Sequence, residues 1–179
     1  MASVVCGELT ESLSRSRVAR GLQHQELPRK AVSVSNLHPL ILNNITVVST
    51  TNKTHTLSFG VADSNTNTST TCSSTWTEST DIFNSCSSSY IKCATSNTSF
   101  EHWQWCFKGY TNFYNFILNI DHTYTDNDVG KYPYNQLSTF SHASANLNCK
   151  TDSISGLKTP CNLNTQDGTV VAPIESLSA

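Results

Sequence analysis

Apolar and polar side chains alternate with a period of two in several short runs of this chain, the spacing of a strand with one buried face. Leu57, Phe59 and Val61 stand between small or polar neighbours, and Ile45-Thr46-Val47-Val48 precedes them. The intervening Thr51-Asn52-Lys53-Thr54 predicts a hairpin turn, without the glycine that favours the tightest ones. The densest pattern is Trp103, Trp105 and Phe107, followed by Tyr114, Phe116, Leu118 and Ile120, with Gly109-Tyr110-Thr111-Asn112 between. It predicts a second hairpin whose aromatic rings, each burying about 150–250 Å², dominate the core. Shorter runs follow at Leu137–Phe140, Leu147–Cys149 and Val170–Ile174, the last an expected edge strand because Pro173 lacks a ladder N–H. No repeat and no helical periodicity emerges beyond one expected turn at Ser141–Leu147.

The expected fold is therefore all-β, an antiparallel barrel or sandwich over residues 32–179. Residues 62–99 are mostly Ser, Thr, Asn and Cys, and Ser64 to Thr71 offers nothing apolar to bury. They read as a long loop pinned by cysteines, with Trp76 and Ile82-Phe83 as anchors on the core. Residues 1–31 read as a separate piece that is Arg- and Ser-rich and carries the odd cysteine, Cys6. They lack the basic, apolar and small-residue order of a secretory signal, and Glu8, Glu11 and Glu26 count against a transit peptide. The expectation is a disordered extension or a misassigned first exon.

Composition narrows the partners. Only 13% of residues are charged, against about 25% in an average soluble domain, and Ser and Thr take over the solvent-facing role. All four arginines fall within the first 29 residues, and the remainder from residue 31 is net acidic. That domain lacks the basic cluster that phosphate neutralisation needs, so no nucleic-acid partner is expected. No apolar run approaches the roughly 20 residues of a membrane span; the best candidate, Phe113 to Ile120, is broken by Asn115 and Asn119.

Cysteine carries the strongest chemical signal. Cys72, Cys86, Cys93, Cys106, Cys149 and Cys161 lie in a small polar sequence, the setting of a disulfide framework in an oxidising compartment. Fifteen connectivities are open; the local set Cys72–Cys86, Cys93–Cys106 and Cys149–Cys161 closes loops of similar size. No C-x₂-C pair and no His pair at i, i+4 offers a zinc template. Asn44, Asn52, Asn67 and Asn97 head sequons, as many as chance gives in a chain this rich in Asn, Ser and Thr. Asp121, His122, Asp126 and Asp128 resemble a cation loop, but Leu137 stands where an EF-hand loop starting at Asp126 needs an acid. Ordinary turn chemistry is the expectation there, with no metal and no cofactor. No G-x-S-x-G elbow marks a nucleophile. Glu78, Asp81, Glu101 and Asp121 supply carboxylates for glycoside hydrolysis, but their spacing selects no pair.

Phe113 to Tyr124, Pro133-Tyr134-Asn135, Ala145 to Cys149, Cys161 and Val171-Ala172-Pro173-Ile174 together resemble small secreted fungal proteins of the Alternaria major-allergen type, over residues 72–179. The resemblance implies an antiparallel β-barrel or sandwich, secretion, bridges at Cys93–Cys106 and Cys149–Cys161, and no catalytic residues. It leaves room for a homodimer. The expected activity is binding of a host or environmental protein or a small ligand, by an effector- or allergen-like protein. The alternatives are a secreted hydrolase of polysaccharides or esters and a structural cell-wall glycoprotein.

Overall fold

The structure is a computed structural model that describes residues 32–50, 53–77, 86, 90–94, 100–112, 114–133, 135–148, 158–163 and 168–178, with 148 and 158–163 as backbone only. The N-terminal segment 1–31, the Ile82-Phe83 anchors, Asn52, Asn97 and Cys149 lie outside the described residues.

Among the described residues ten strands form one continuous antiparallel pairing network, arranged as two sheets that join through shared pairings. One 3₁₀ turn, Val34–Asn36, leads into β1 (Leu40–Ser49), which pairs with β2 (Thr54–Asp63), itself paired with β3 (Thr68–Thr77). The second sheet is built on β5 (His102–Asn112), β6 (Asn115–Thr125) and β7 (Gln136–Asn148), with the two-residue β4 (Ile91–Lys92) on the β5 edge. Two connections join the sheets along one side. The strand β8 (Lys158–Leu163) pairs with both β1 and the end of β7. At the other end β9 (Thr169–Ala172) pairs with β1, and β10 (Ile174–Ser178) pairs with β7. Pro173 sits between β9 and β10, where it removes no ladder hydrogen bond.

Aromatic rings from both sheets fill the space between. Trp105 meets Phe59 edge-on at 5.5 Å, and Phe107 meets Trp76 edge-on at 5.5 Å, so each contact crosses from one sheet to the other. Trp105 and Phe107 also pack edge-to-face on each other, the arrangement that ring quadrupoles favour.

Four expectations need correction. The first concerns residues 62–99, which contain a full strand rather than a continuous loop: β3 pairs with β2 at every position from Thr68 to Thr77. Threonine suits a pleated surface, and Cys72 and Trp76 share the inward face. The second is the helical turn at Ser141–Leu147, which is part of β7. There Ser141, Ala143, Ala145 and Leu147 alternate on the buried face, and the small residues among them hide the strand period. The third is Tyr114, which is exposed, whereas Asn119 and Asp121 are buried although they occupy the polar phase of β6. The fourth is the cysteine pairing. Cys72 bonds Cys93, and Cys86 bonds Cys106, in place of the local pairs and of the Cys93–Cys106 bridge that the resemblance implies. Cys161 lies in β8, but its side chain and the whole of Cys149 lie outside the described residues.

The first bridge closes the side of the fold where β3 and β4 end the pairing order, and the second fastens Cys86 to β5. Cys72–Cys93 ties β3 to the residue after β4. Beside it the Ala94 N–H donates to Thr71 O at 2.9 Å and Thr70 Oγ1 donates to Ala94 O at 2.9 Å. Peptide mapping without reduction is therefore expected to recover Cys72–Cys93 and Cys86–Cys106 linked peptides. Replacing both Cys72 and Cys93 by Ala is expected to cost about 3 kcal/mol in urea unfolding, from the loop the bridge closes; no change in midpoint refutes a stabilising role.

Candidate functional site

At the end of the interior bounded by Asp63, the hydrophobic filling gives way to charge. Asp63 closes β2, and the turn after it is of Asx type: Asp63 Oδ1 accepts from the Asn65 N–H at 2.8 Å and from Asn65 Nδ2 at 2.7 Å. Asn65 in turn clasps the chain before β1, taking the His38 N–H on Oδ1 and donating Nδ2 to His38 O, both at 2.8 Å. The second Asp63 oxygen crosses to the other sheet and meets His122 Nδ1 at 2.9 Å.

His122, on β6, is fully buried, and its Nε2 lies 3.0 Å from Glu101 Oε1. The ring thus stands between two carboxylates from distant parts of the chain. Ionised carboxylates only accept hydrogen bonds, so a proton on each ring nitrogen satisfies both contacts. Trp103, the cross-strand neighbour of His122 on β5, stacks on the imidazole with centroids 3.5 Å apart and planes 8° from parallel. Its Nε1 donates to the same Glu101 oxygen at 2.9 Å. A ring over an imidazolium adds cation–π attraction, and the two donors fix the Glu101 carboxylate. Tyr124 packs against His122 at 5.0 Å, and burial first, then the charges of Asp63 and Asp126, push its phenol up to about 12.

Burial alone raises the Asp63 carboxyl, but its bonds to His122 and Asn65 and the charge of His122 outweigh that and hold it below the ordinary value. Asp121 goes the other way. Its carboxylate lies on the opposite face of β6, where burial dominates over the Gln104 Nε2–Asp121 Oδ2 bond of 2.6 Å and over the His122 charge, so its carboxyl is raised. Asn119 donates to the Tyr90 hydroxyl at 2.6 Å on that face, and the Cys86–Cys106 bridge lies beside it. Cys86 and Tyr90 thus explain why polar-phase residues of β6 are buried. Tyr90 is raised by burial and by Asp121.

Glu101 also lines a cavity of about 310 Å³ at the β4–β5 edge, with Lys92, His102, Trp103, Gln104 and Thr123 among its other walls. Of the carboxylates considered from sequence, Glu101 and Asp121 fall on opposite faces, while Glu78 and Asp81 lie outside the described residues. Asp63, the partner that the structure supplies, carries no local sequence signal. His122 is held in a carboxylate bridge rather than in an acidic cation loop, and Asp126 caps its own turn through a bond from the Asp128 N–H at 2.9 Å. Among the described residues no group of three or more His, Cys, Asp and Glu side chains is placed to hold a metal ion. No helix there is long and apolar enough to cross a membrane. A buried Ser–His pair does exist, Ser49 Oγ to His55 Nδ1 at 2.6 Å, with His55 against Trp76. Asn44 and Asn67 are both exposed, the first in a β1 bulge and the second in the β2–β3 turn, each with positive φ.

A scan against protein-family models and searches of curated proteins and of solved structures each found no match to this chain.

The opposed carboxyls give a signed pH test. Asp63 contributes stability above its unfolded value near 3.8, and that contribution is lost as pH falls through its lower folded value. The protonated form of Asp121 contributes below 3.8, and that contribution is lost as pH rises through its higher folded value. Urea unfolding across pH 2–7 is expected to show D63N weakened at neutral pH by about 1–3 kcal/mol, with a flatter acid limb. D121N is expected to exceed wild type at neutral pH and to converge with it in acid. Parallel pH profiles for the two variants contradict the assignment. H122Q leaves two buried carboxylates facing a neutral amide, and a loss of about 3–5 kcal/mol at neutral pH is expected.

Proposed function

We propose that this chain is a secreted, non-enzymatic binding protein of the effector- or allergen-like kind, which takes a small ligand or a segment of a host protein into the Glu101 cavity. The observation that carries this reading is a wall carboxylate fixed in place by Trp103 and His122 beside a recess with further polar walls. A group locked by packing and by supporting hydrogen bonds suits recognition. Secretion is supported by two disulfides in a chain with few charges, and the fungal affiliation rests on the sequence resemblance.

The hydrolase reading draws on two features, the carboxylates of Asp63 and Glu101 and the Ser49–His55 pair. Both have physical objections. The His122 ring stands between the two carboxylates and engages an oxygen of each, so a glycosidic bond has no room between them. Ser49 and His55 are buried, 4% and 2% exposed, against the aromatic core.

A fragment screen followed by ¹H–¹⁵N NMR tests the proposal. Saturable, stoichiometric shifts at the Trp103 indole and the Gln104 amide, with the ligand recovered unchanged, are expected. Turnover of a polysaccharide or ester that disappears in E101Q, with the fold intact, overturns binding in favour of hydrolysis.

A further inference from the structure

The walls of the cavity carry both signs of charge, and the two signs are held differently. Glu101 is anchored on its protein side by the Trp103 and His122 N–H groups. The Glu101 side chain is largely shielded from water where it meets the cavity wall, and attraction of a carboxylate for a cation is stronger in such a setting than in bulk water. Lys92 is on β4, opposite Gln104 on β5, and its side chain is exposed. Its flexible four-carbon stem lets the ammonium follow a ligand. His102 and Thr123 are register partners on β5 and β6 and add hydrogen-bonding groups between these charges.

A ligand with a single charge meets one of these walls unfavourably: an anion faces Glu101, and a cation faces Lys92. A molecule with both charges meets each with its opposite. Resting on the binding reading above, we propose that the cavity takes a small zwitterion bearing a primary ammonium and a carboxylate, the ammonium on Glu101 and the carboxylate toward Lys92. The cavity of about 310 Å³ stands at the lower end of the range for ligand pockets, which fits a small molecule rather than a folded partner.

The test uses three zwitterions that differ only in charge spacing, namely glycine, 4-aminobutyrate and 6-aminohexanoate, with butylamine and butyrate as singly charged controls. Binding to the full oxidised chain is read from the His102 and Gln104 amides and the Trp103 indole. At least one zwitterion is expected to bind about tenfold or more tighter than both controls, the effect of one charge-assisted contact. E101Q is expected to bring it down to the level of butyrate, and K92M to that of butylamine. Because Glu101 belongs to the buried assembly, K92M on the exposed strand is the variant that must respond even if E101Q fails to fold. Zwitterions no tighter than the controls, or a K92M affinity equal to wild type, overturn the inference. A neutral ligand that alone moves the cavity resonances also overturns it and leaves the binding reading standing. Cavity resonances that answer to no ligand of any class sink both.

Discussion

The imidazole of His122 is the point on which the two sheets depend for their mutual registration. Away from the edges, where the β8 to β10 ladders and the Cys72–Cys93 bridge link them, the facing sheets meet largely through apolar contacts, which are non-directional and tolerate sliding. Here three ionisable side chains from β2, β6 and the residue before β5 meet within hydrogen-bond distance. Burying such a group costs free energy unless every member is paired, and removing one leaves the others stranded. The cost is offset only in one arrangement of the sheets, so the cluster specifies that arrangement more than it stabilises it. The Asp63 carboxylate extends this reach, because its other oxygen closes the β2–β3 turn through Asn65, which also holds the chain ahead of β1.

The two faces of β6 divide the polar work. On the inner face, His122 of β6 helps to hold the Asp63 carboxyl of β2 low; on the outer face, burial raises the carboxyl of Asp121, the residue next to His122, despite its one amide partner. The outer face owes its burial to Cys86 and Tyr90, which cover polar residues rather than an apolar stripe. The cavity lies beside both groups, with Glu101 and Gln104 each reaching one of them.

Strict alternation made β2, β5 and much of β6 legible from sequence, because Leu57, Phe59, Val61, Trp103, Trp105 and Phe107 are large and inward. Where the pattern failed, a physical reason is visible. In β1 a bulge at Asn43–Thr46 inserts a residue, so Leu40 and Leu42 fall out of phase with Ile45 and Val47 although all four are buried. In β3 both faces are largely Ser and Thr, which hides the period, and only Cys72 and Trp76 disclose it. In β7 the buried positions between Leu137 and Leu147 are filled by Thr139, Ser141, Ala143 and Ala145, so small and polar residues mask the alternation. The candidate site was the least legible part. Glu101 and His122 are 21 residues apart and Asp63 is 59 from His122, and no local spacing encodes contacts made by sheet packing.

The order of the bridged cysteines has a consequence for how the chain matures. Along the sequence they pair first with third and second with fourth, Cys72 with Cys93 and Cys86 with Cys106. Interleaved links of this kind cannot be assembled by closing one neighbouring loop after another. The nearest-neighbour isomer, Cys72–Cys86 with Cys93–Cys106, closes shorter loops and is favoured by chain entropy in an unstructured chain. The native isomer wins only once β3 and β5 have set Cys72 on an inner face and Cys106 on an outer one. Oxidation after the sheets have formed yields this pairing directly, whereas bridges closed earlier in the unstructured chain reach it only through thiol exchange.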